Sequence, residues 1–127
     1  MATLQAATTS NGAVVTDPER VRRLCESYCF GTLKWDVDDD GRFSLWGYDA
    51  FEVYEQRENG LPDYEGGERT EEFLRELASY IATGETLDIQ TAGFTKCRFP
   101  VLASRYVVRR GEVLYADLDG LEPVSEN

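Results

Sequence analysis

The chain has 127 residues, of which 42% are hydrophobic and 12% aromatic. This length and composition are typical of one domain with a packed core, and they argue against a disordered chain. The 24 acidic residues outnumber the 13 basic ones and give a formal net charge of −11. That charge disfavours binding to nucleic acid, because phosphate neutralisation requires Lys and Arg.

The basic residues are unusual, since only Lys34 and Lys96 are lysines. An acidic, arginine-rich and lysine-poor composition is similar to that of proteins from salt-loving archaea, whose cytoplasm holds molar salt. At such a concentration the Debye length falls to about 3 Å, so an acidic surface repels itself little. The alternative is an ordinary acidic protein.

Several classes of chemistry are excluded or disfavoured by residue type. The chain contains no histidine, which excludes Ser-His-Asp and Cys-His nucleophile systems and histidine-ligated metals. Three cysteines do not make a disulfide framework. Cys25 and Cys29 share a helical stripe with apolar residues, which predicts buried thiols.

No apolar run reaches the roughly 18 residues of a membrane span, and no secretory signal pattern opens the chain. We therefore expect a cytoplasmic protein without a membrane segment.

The first elements follow from local patterns. Residues 1–16 are small, rich in Thr and Ala and aperiodic, and are predicted to form a mobile arm. A helix then begins at Asp17 and Pro18, because Asp is a favourable N-cap and Pro fits the first helical turn. Apolar residues recur at helical spacing after that point, and Gly31 is predicted to end the element.

A hairpin and a third strand follow the first helix. Apolar and polar residues alternate so that Val37 pairs with Phe43, Trp35 with Leu45 and Leu33 with Gly47. This register places the large apolar side chains of the hairpin on one side, Trp46 excepted. Residues 50–56 are predicted to add a third strand to the same sheet.

The second half repeats this order. Residues 57–69 are predicted to form an exposed acidic loop, and Thr70 is predicted to cap a second helix. Residues 87–91 form a strand, and Arg110 and Gly111 form the tight turn of a second hairpin. In that hairpin the predicted pairs are Ala103–Leu118, Ser104–Asp117, Arg105–Ala116, Tyr106–Tyr115, Val107–Leu114, Val108–Val113 and Arg109–Glu112.

The predicted fold is α+β. It has an antiparallel sheet of about six strands, in the chain order α-βββ-α-βββ, with two helices packed on one face. Residues 17–118 form the single domain of this prediction, and residues 119–127 form a polar tail.

An aspartate-rich turn is the candidate metal site. Asp36, Asp38 and Asp40 precede Gly41 with the spacing of the first ligands of a calcium loop. However, the twelfth position is Gly47, where a bidentate Glu is required, and strands flank the loop. An acidic hairpin turn explains the same residues without an ion. A weak divalent-cation site at the three aspartates is the alternative, and no other cofactor is predicted.

Two further groups of side chains on the sheet are candidate binding sites. One is a set of aromatic residues predicted to point outward, for which burial by a curled sheet is the alternative, namely Trp46, Tyr54, Tyr106 and Tyr115. The other is a basic cluster, for which cross-strand ion pairing is the alternative role, formed by Lys96, Arg98, Arg105, Arg109 and Arg110.

No motif in the sequence specifies a reaction. We expect a non-catalytic binding module whose second sheet face, or a cleft beside it, engages a protein partner or a second copy of the chain. One alternative is a small histidine-free hydrolase or isomerase that uses carboxylates and Tyr hydroxyls, with or without a divalent cation. The other alternative is a nucleic-acid-binding module, which the acidic charge disfavours.

Overall fold

The computed structural model describes residues 5–94, 100–117 and 121–123. Within those ranges it has two helices and ten strands. The helices are α1 (Pro18–Glu26) and α2 (Thr70–Ala78). The strands are β1 (Gln5–Ser10), β2 (Ala13–Val14), β3 (Tyr28–Cys29), β4 (Lys34–Val37), β5 (Arg42–Gly47), β6 (Tyr54–Glu55), β7 (Leu87–Phe94), β8 (Pro100–Arg109), β9 (Glu112–Ala116) and β10 (Leu121–Pro123).

The structure confirms an α+β fold with an antiparallel sheet, but with more strands than the six predicted. Eight strands form the main sheet, in the order β10-β9-β8-β7-β1-β5-β2, with β4 on the other edge of β5. The short strands β3 and β6 form a separate two-stranded ribbon. The main sheet is therefore larger than the sequence pattern indicates.

The N-terminal region differs most from the prediction of a mobile arm. β1 lies inside the sheet, between β5 and β7, and pairs with β7 along its whole length from Gln5 to Ser10. Where β1 leaves β7, the amide of Asn11 donates to the Thr86 carbonyl and its Oδ1 accepts from the Asp88 N–H, both at 2.8 Å. These side-chain hydrogen bonds replace the strand ladder at the point where it stops.

Both predicted hairpins are present. β8 and β9 pair in the predicted register at the five positions from Arg105–Ala116 to Arg109–Glu112. β9 ends at Ala116, before the predicted Ser104–Asp117 pair, and Leu118 of the predicted Ala103–Leu118 pair lies outside the described residues. β4 and β5 pair as predicted at Trp35–Leu45 and Val37–Phe43. The turn between β8 and β9 contains Gly111 at a φ of 73°, which glycine adopts without a steric penalty.

Two other segments differ from the prediction. Of the third strand expected over residues 50–56, β6 retains Tyr54–Glu55, and it pairs with β3 outside the main sheet. Phe51 and Val53 are nevertheless buried in the core. At the other end of the chain, where residues 119–127 were expected to be a tail, β10 pairs with β9.

The start of α1 agrees with the prediction, but the end of α1 and the cap of α2 do not. Asp17 caps α1 as predicted, since its Oδ1 accepts from the Arg20 N–H at 3.2 Å. α1 ends at Glu26 rather than near Gly31, because the following residues enter β3. Thr70 does not cap α2. Its Oγ1 instead accepts from the Val53 N–H at 3.0 Å and satisfies a buried backbone donor.

The hydrophobic core lies between the helices and one face of the main sheet. Val21 and Cys25 of α1 and Phe73 and Leu77 of α2 belong to one buried cluster with the inward residues of the sheet. Because strand residues alternate between faces, their neighbours in sequence point to the opposite side. We call that side the outer face.

Candidate binding site on the outer face of the sheet

A hollow on the outer face is the candidate functional site. It has a volume of about 450 Å³ and crosses β1, β7, β8 and β9. The outward side chains that line it are Ala7, Thr9, Gln90, Ala92, Arg105 and Ala116, with Thr8, Thr91, Ser104 and Asp117 between them. We call these ten residues the outer trough. Its outward floor contains three alanines, and short side chains leave the space that larger ones would fill.

The strand pairing determines this composition. Ala7 pairs with Ala92, and Thr9 pairs with Gln90, so small or flexible side chains stand next to each other on adjacent strands. Gln90 in turn pairs with Arg105, which pairs with Ala116. The trough therefore results from β1 being inserted beside β7.

An exposed aromatic residue adjoins one side of the trough. Trp46 pairs with Thr9 and has 42% of its surface exposed. Tyr48, two residues further along the chain, is 93% exposed. Large aromatic side chains next to an apolar hollow are typical of contact sites, because they bury much area at a small entropic cost.

The opposite side of the trough is polar. Arg105 Nη2 donates to Asp88 Oδ2 at 2.7 Å. The other oxygen, Asp88 Oδ1, is buried and has no hydrogen-bond donor among the described residues. The ion pair holds the Arg105 guanidinium against the sheet.

The outer face has a different charge from the rest of the chain. Among the strand residues with described side chains it presents four basic residues (Lys34, Arg42, Arg105 and Arg109) and three acidic ones (Asp36, Asp88 and Glu112). This balance is close to neutral, whereas the whole chain carries −11. The acidic excess therefore lies mainly elsewhere, and residues 52–72 alone contain eight acidic and two basic residues.

The four aromatic residues predicted to form one surface do not lie together. Trp46 lies on the outer face, beside the trough. Tyr106 and Tyr115 lie on the helix side, where their ring centroids are 4.9 Å apart. The ring centroid of Tyr106 is also 5.9 Å from that of Phe51. Burial raises the pKa of Tyr106 to about 12. Tyr54 belongs to the β3–β6 ribbon and packs on Tyr64, with the two ring centroids 4.9 Å apart.

The described members of the basic cluster are mostly paired. Arg105 contacts Asp88, and Arg109 contacts Glu112 at 3.2 Å across the hairpin. Arg110 is exposed in the turn. Lys96 and Arg98 lie outside the described residues.

The aspartate-rich turn is closed by its own hydrogen bonds. Asp38 Oδ1 accepts from the N–H groups of Asp40 and Arg42, both at 2.9 Å. Gly41 has a φ of 76°, and Asp36 points outward from β4. Among the described residues, no group of three or more His, Cys, Asp or Glu side chains is arranged to hold a metal ion.

One carboxyl group has an altered acidity. Burial, with a contribution from the nearby Glu52 carboxylate, raises the pKa of Glu68. Desolvation is the largest cause of the raised pKa of Tyr54, and the Glu52 and Glu68 carboxylates raise that pKa further. This group lies beside α2 and is separate from the outer trough.

Comparison of the chain with protein-family models, with curated proteins and with solved structures finds no significant match. Across the part of the chain that the structure describes, no helix is long and apolar enough to cross a bilayer.

Sequence reasoning found Trp46 and Arg105 but missed the trough between them. Its floor consists of Ala and Thr residues, which carry no chemical signal of a site. β1 supplies one wall, and it was predicted to lie outside the domain. The signal that was present is the unusual number of small residues in strands that are otherwise rich in β-branched and aromatic residues.

Proposed function

We propose that this chain is a non-catalytic binding module that docks a protein surface on the outer face of its sheet. The observation that carries the proposal is the outer trough, a hollow of about 450 Å³ adjoining the exposed Trp46. An apolar hollow with an aromatic rim and a few fixed polar groups suits the insertion of a partner's side chain.

The charge of the outer face supports a protein partner over a nucleic acid. Phosphate binding requires basic side chains that are available to neutralise it. Here Arg105 and Arg109 already contact Asp88 and Glu112. A near-neutral surface with an exposed Trp is instead typical of protein interfaces, whose centres are poor in unpaired charge.

The enzyme alternative has one supporting observation, the raised pKa of Glu68. Perturbed carboxyl groups in a cleft are candidates for acid–base catalysis. Glu68 is not among the residues that line the outer trough. Because the cavity and the perturbed carboxyl group lie in different places, binding explains the structure better than catalysis does.

The test uses indole, which has the ring of a Trp side chain. We expect titration with indole to shift the methyl NMR signals of Ala7, Ala92 and Ala116, while the half-buried Ala82 is the internal reference. Ala92→Leu extends a side chain into the trough and should abolish the shifts of the Ala7 and Ala116 methyl groups without changing the fold. If indole moves no trough methyl, or if Ala92→Leu leaves the shifts unchanged, the trough is not a binding site.

A further inference from the structure

Trp46 and the outer trough lie side by side on the outer face. Trp46 pairs with Thr9 at the edge of the trough, and the trough extends from β1 to β9. Adjacent strands are about 4.8 Å apart, so the centre of the trough over β7 is roughly 10 Å from the strand that carries Trp46. A projection and a hollow separated by so short a distance on one face suit a two-fold arrangement.

We propose that the partner is a second copy of this chain, packed face to face so that Trp46 of each copy enters the trough of the other. This proposal rests on the proposed function, since it identifies the occupant of the same site. In a two-fold interface each patch meets its own copy, so a single patch must contain both complementary parts. The outer face meets that requirement with Trp46 and the three alanines of the trough floor.

Charge determines which surface two copies can share. Each copy carries −11, and contact between the acidic surfaces of residues 52–72 would bring eight acidic residues of one copy against eight of the other. The outer face presents four basic and three acidic strand side chains among those described, so repulsion is smallest when outer faces meet. A basic foreign partner would instead be attracted to the acidic surface of residues 52–72, so its binding would not require a near-neutral face.

The remaining repulsion gives the dimer a salt dependence. Two acidic chains repel each other over about 10 Å in 0.1 M salt, but over only about 3 Å in 1 M salt. We therefore expect the dimer to be about tenfold tighter in molar potassium chloride than at low salt. A dimer held by ion pairs would show the opposite dependence.

The experiment is light scattering of the full chain at increasing protein concentration, in molar potassium chloride and at low salt. Trp46→Ser should weaken the dimer by about 30-fold or more, as expected for the loss of a central aromatic anchor. Tyr64→Ser is the matched control, because Tyr64 is an exposed aromatic residue in the acidic loop, at 66% exposure. Thr9→Arg provides a second, independent disruption on the exposed rim of the trough.

A mixing experiment tests the exchange of Trp46 directly. Trp46→Ser keeps an open trough, whereas Ala92→Leu keeps Trp46 but fills the trough. Each variant alone should be monomeric, but a mixture should form a heterodimer through the one intact Trp46–trough contact. This complementation is expected only if Trp46 of one copy enters the trough of the other.

A wild-type monomer at every salt concentration overturns the second-copy proposal, and indole binding then decides separately whether the trough remains a site for a foreign protein. A dimer that resists Trp46→Ser, or that Tyr64→Ser weakens equally, also overturns it. So does a mixture of the two variants that stays monomeric while wild type dimerises.

Discussion

Two buried threonines below the trough allow a sharp test of how β1 is held in the sheet. Thr8 of β1 and Thr91 of β7 face each other on the helix side, with their Oγ1 atoms 3.0 Å apart. Thr8 Oγ1 also donates to the Asp49 carbonyl at 2.7 Å. A hydroxyl has one proton, so when Thr8 donates to Asp49, Thr91 must be the donor to Thr8.

This direction makes the two substitutions unequal. Thr8→Val removes both hydrogen bonds and leaves the Thr91 hydroxyl and the Asp49 carbonyl without these partners. Thr91→Val removes one bond and leaves only a lone pair of Thr8 unused. A stranded buried group costs about 1–3 kcal/mol and a lost neutral hydrogen bond about 0.5–1.5 kcal/mol. We expect Thr8→Val to cost about 2–4 kcal/mol and Thr91→Val about 1 kcal/mol.

The double variant should cost less than the sum of the single ones. Once Thr8 is Val, replacing Thr91 removes a stranded hydroxyl, so the second substitution should be neutral or stabilising. With an unfolding entropy of about 2.1 cal/mol/K per residue, Thr8→Val should lower Tm by roughly 7–15 °C.

The measurement is urea and thermal unfolding followed by circular dichroism, for both single variants and the double variant. Thr9→Val is the control, because Thr9 is the exposed neighbour on the other face of β1, and it should change the free energy of unfolding by less than about 0.5 kcal/mol. If Thr91→Val costs as much as Thr8→Val, or if the two costs add, the assigned donor direction is wrong.

Two further predictions concern single residues. Gly47 has a φ of 152°, and a Cβ there would lie 2.9 Å from Leu33 Cδ2. Gly47→Ala should therefore lower the free energy of unfolding in urea by about 2–3 kcal/mol. Gly60→Ala should lower it clearly less, because no atom lies within 4 Å of the added Cβ, and equal costs would refute the contact. Burial raises the pKa of the Cys25 thiol from 9.0 to about 12, so the unfolded chain loses this proton first and stability should fall by about 1 kcal/mol between pH 9 and pH 10. Cys25→Ala should flatten that decline, measured as the midpoint of urea unfolding against pH, and an unchanged slope would contradict the assignment.

The sequence predicted those parts of the fold in which one local pattern is sufficient. The β8–β9 register follows from a Gly-containing turn and from the pairing of like residues such as Tyr106 with Tyr115. The α1 cap follows from Asp17, whose side chain bonds a backbone N–H within its own helix.

The rest depends on contacts between distant residues. Thr8 is a polar residue buried against Thr91, 83 residues away, so β1 lacks the alternating apolar pattern that identifies a strand. Thr70 resembles a helix cap locally, but its hydroxyl bonds the N–H of Val53. The outer trough could not be predicted for the same reason, because it exists only after β1 is placed beside β7.

The central position of β1 also bears on how the protein is made. Residues 5–10 leave the ribosome well before residues 89–94, with which they pair. Among the described strands, β1 joins the β7–β10 half of the sheet to the β5 half. The sheet therefore cannot close until most of the chain has been synthesised, and such distant pairing folds slowly. Until then the β1 segment lacks its β7 partner, and neighbouring nascent chains can capture it as an unpaired strand.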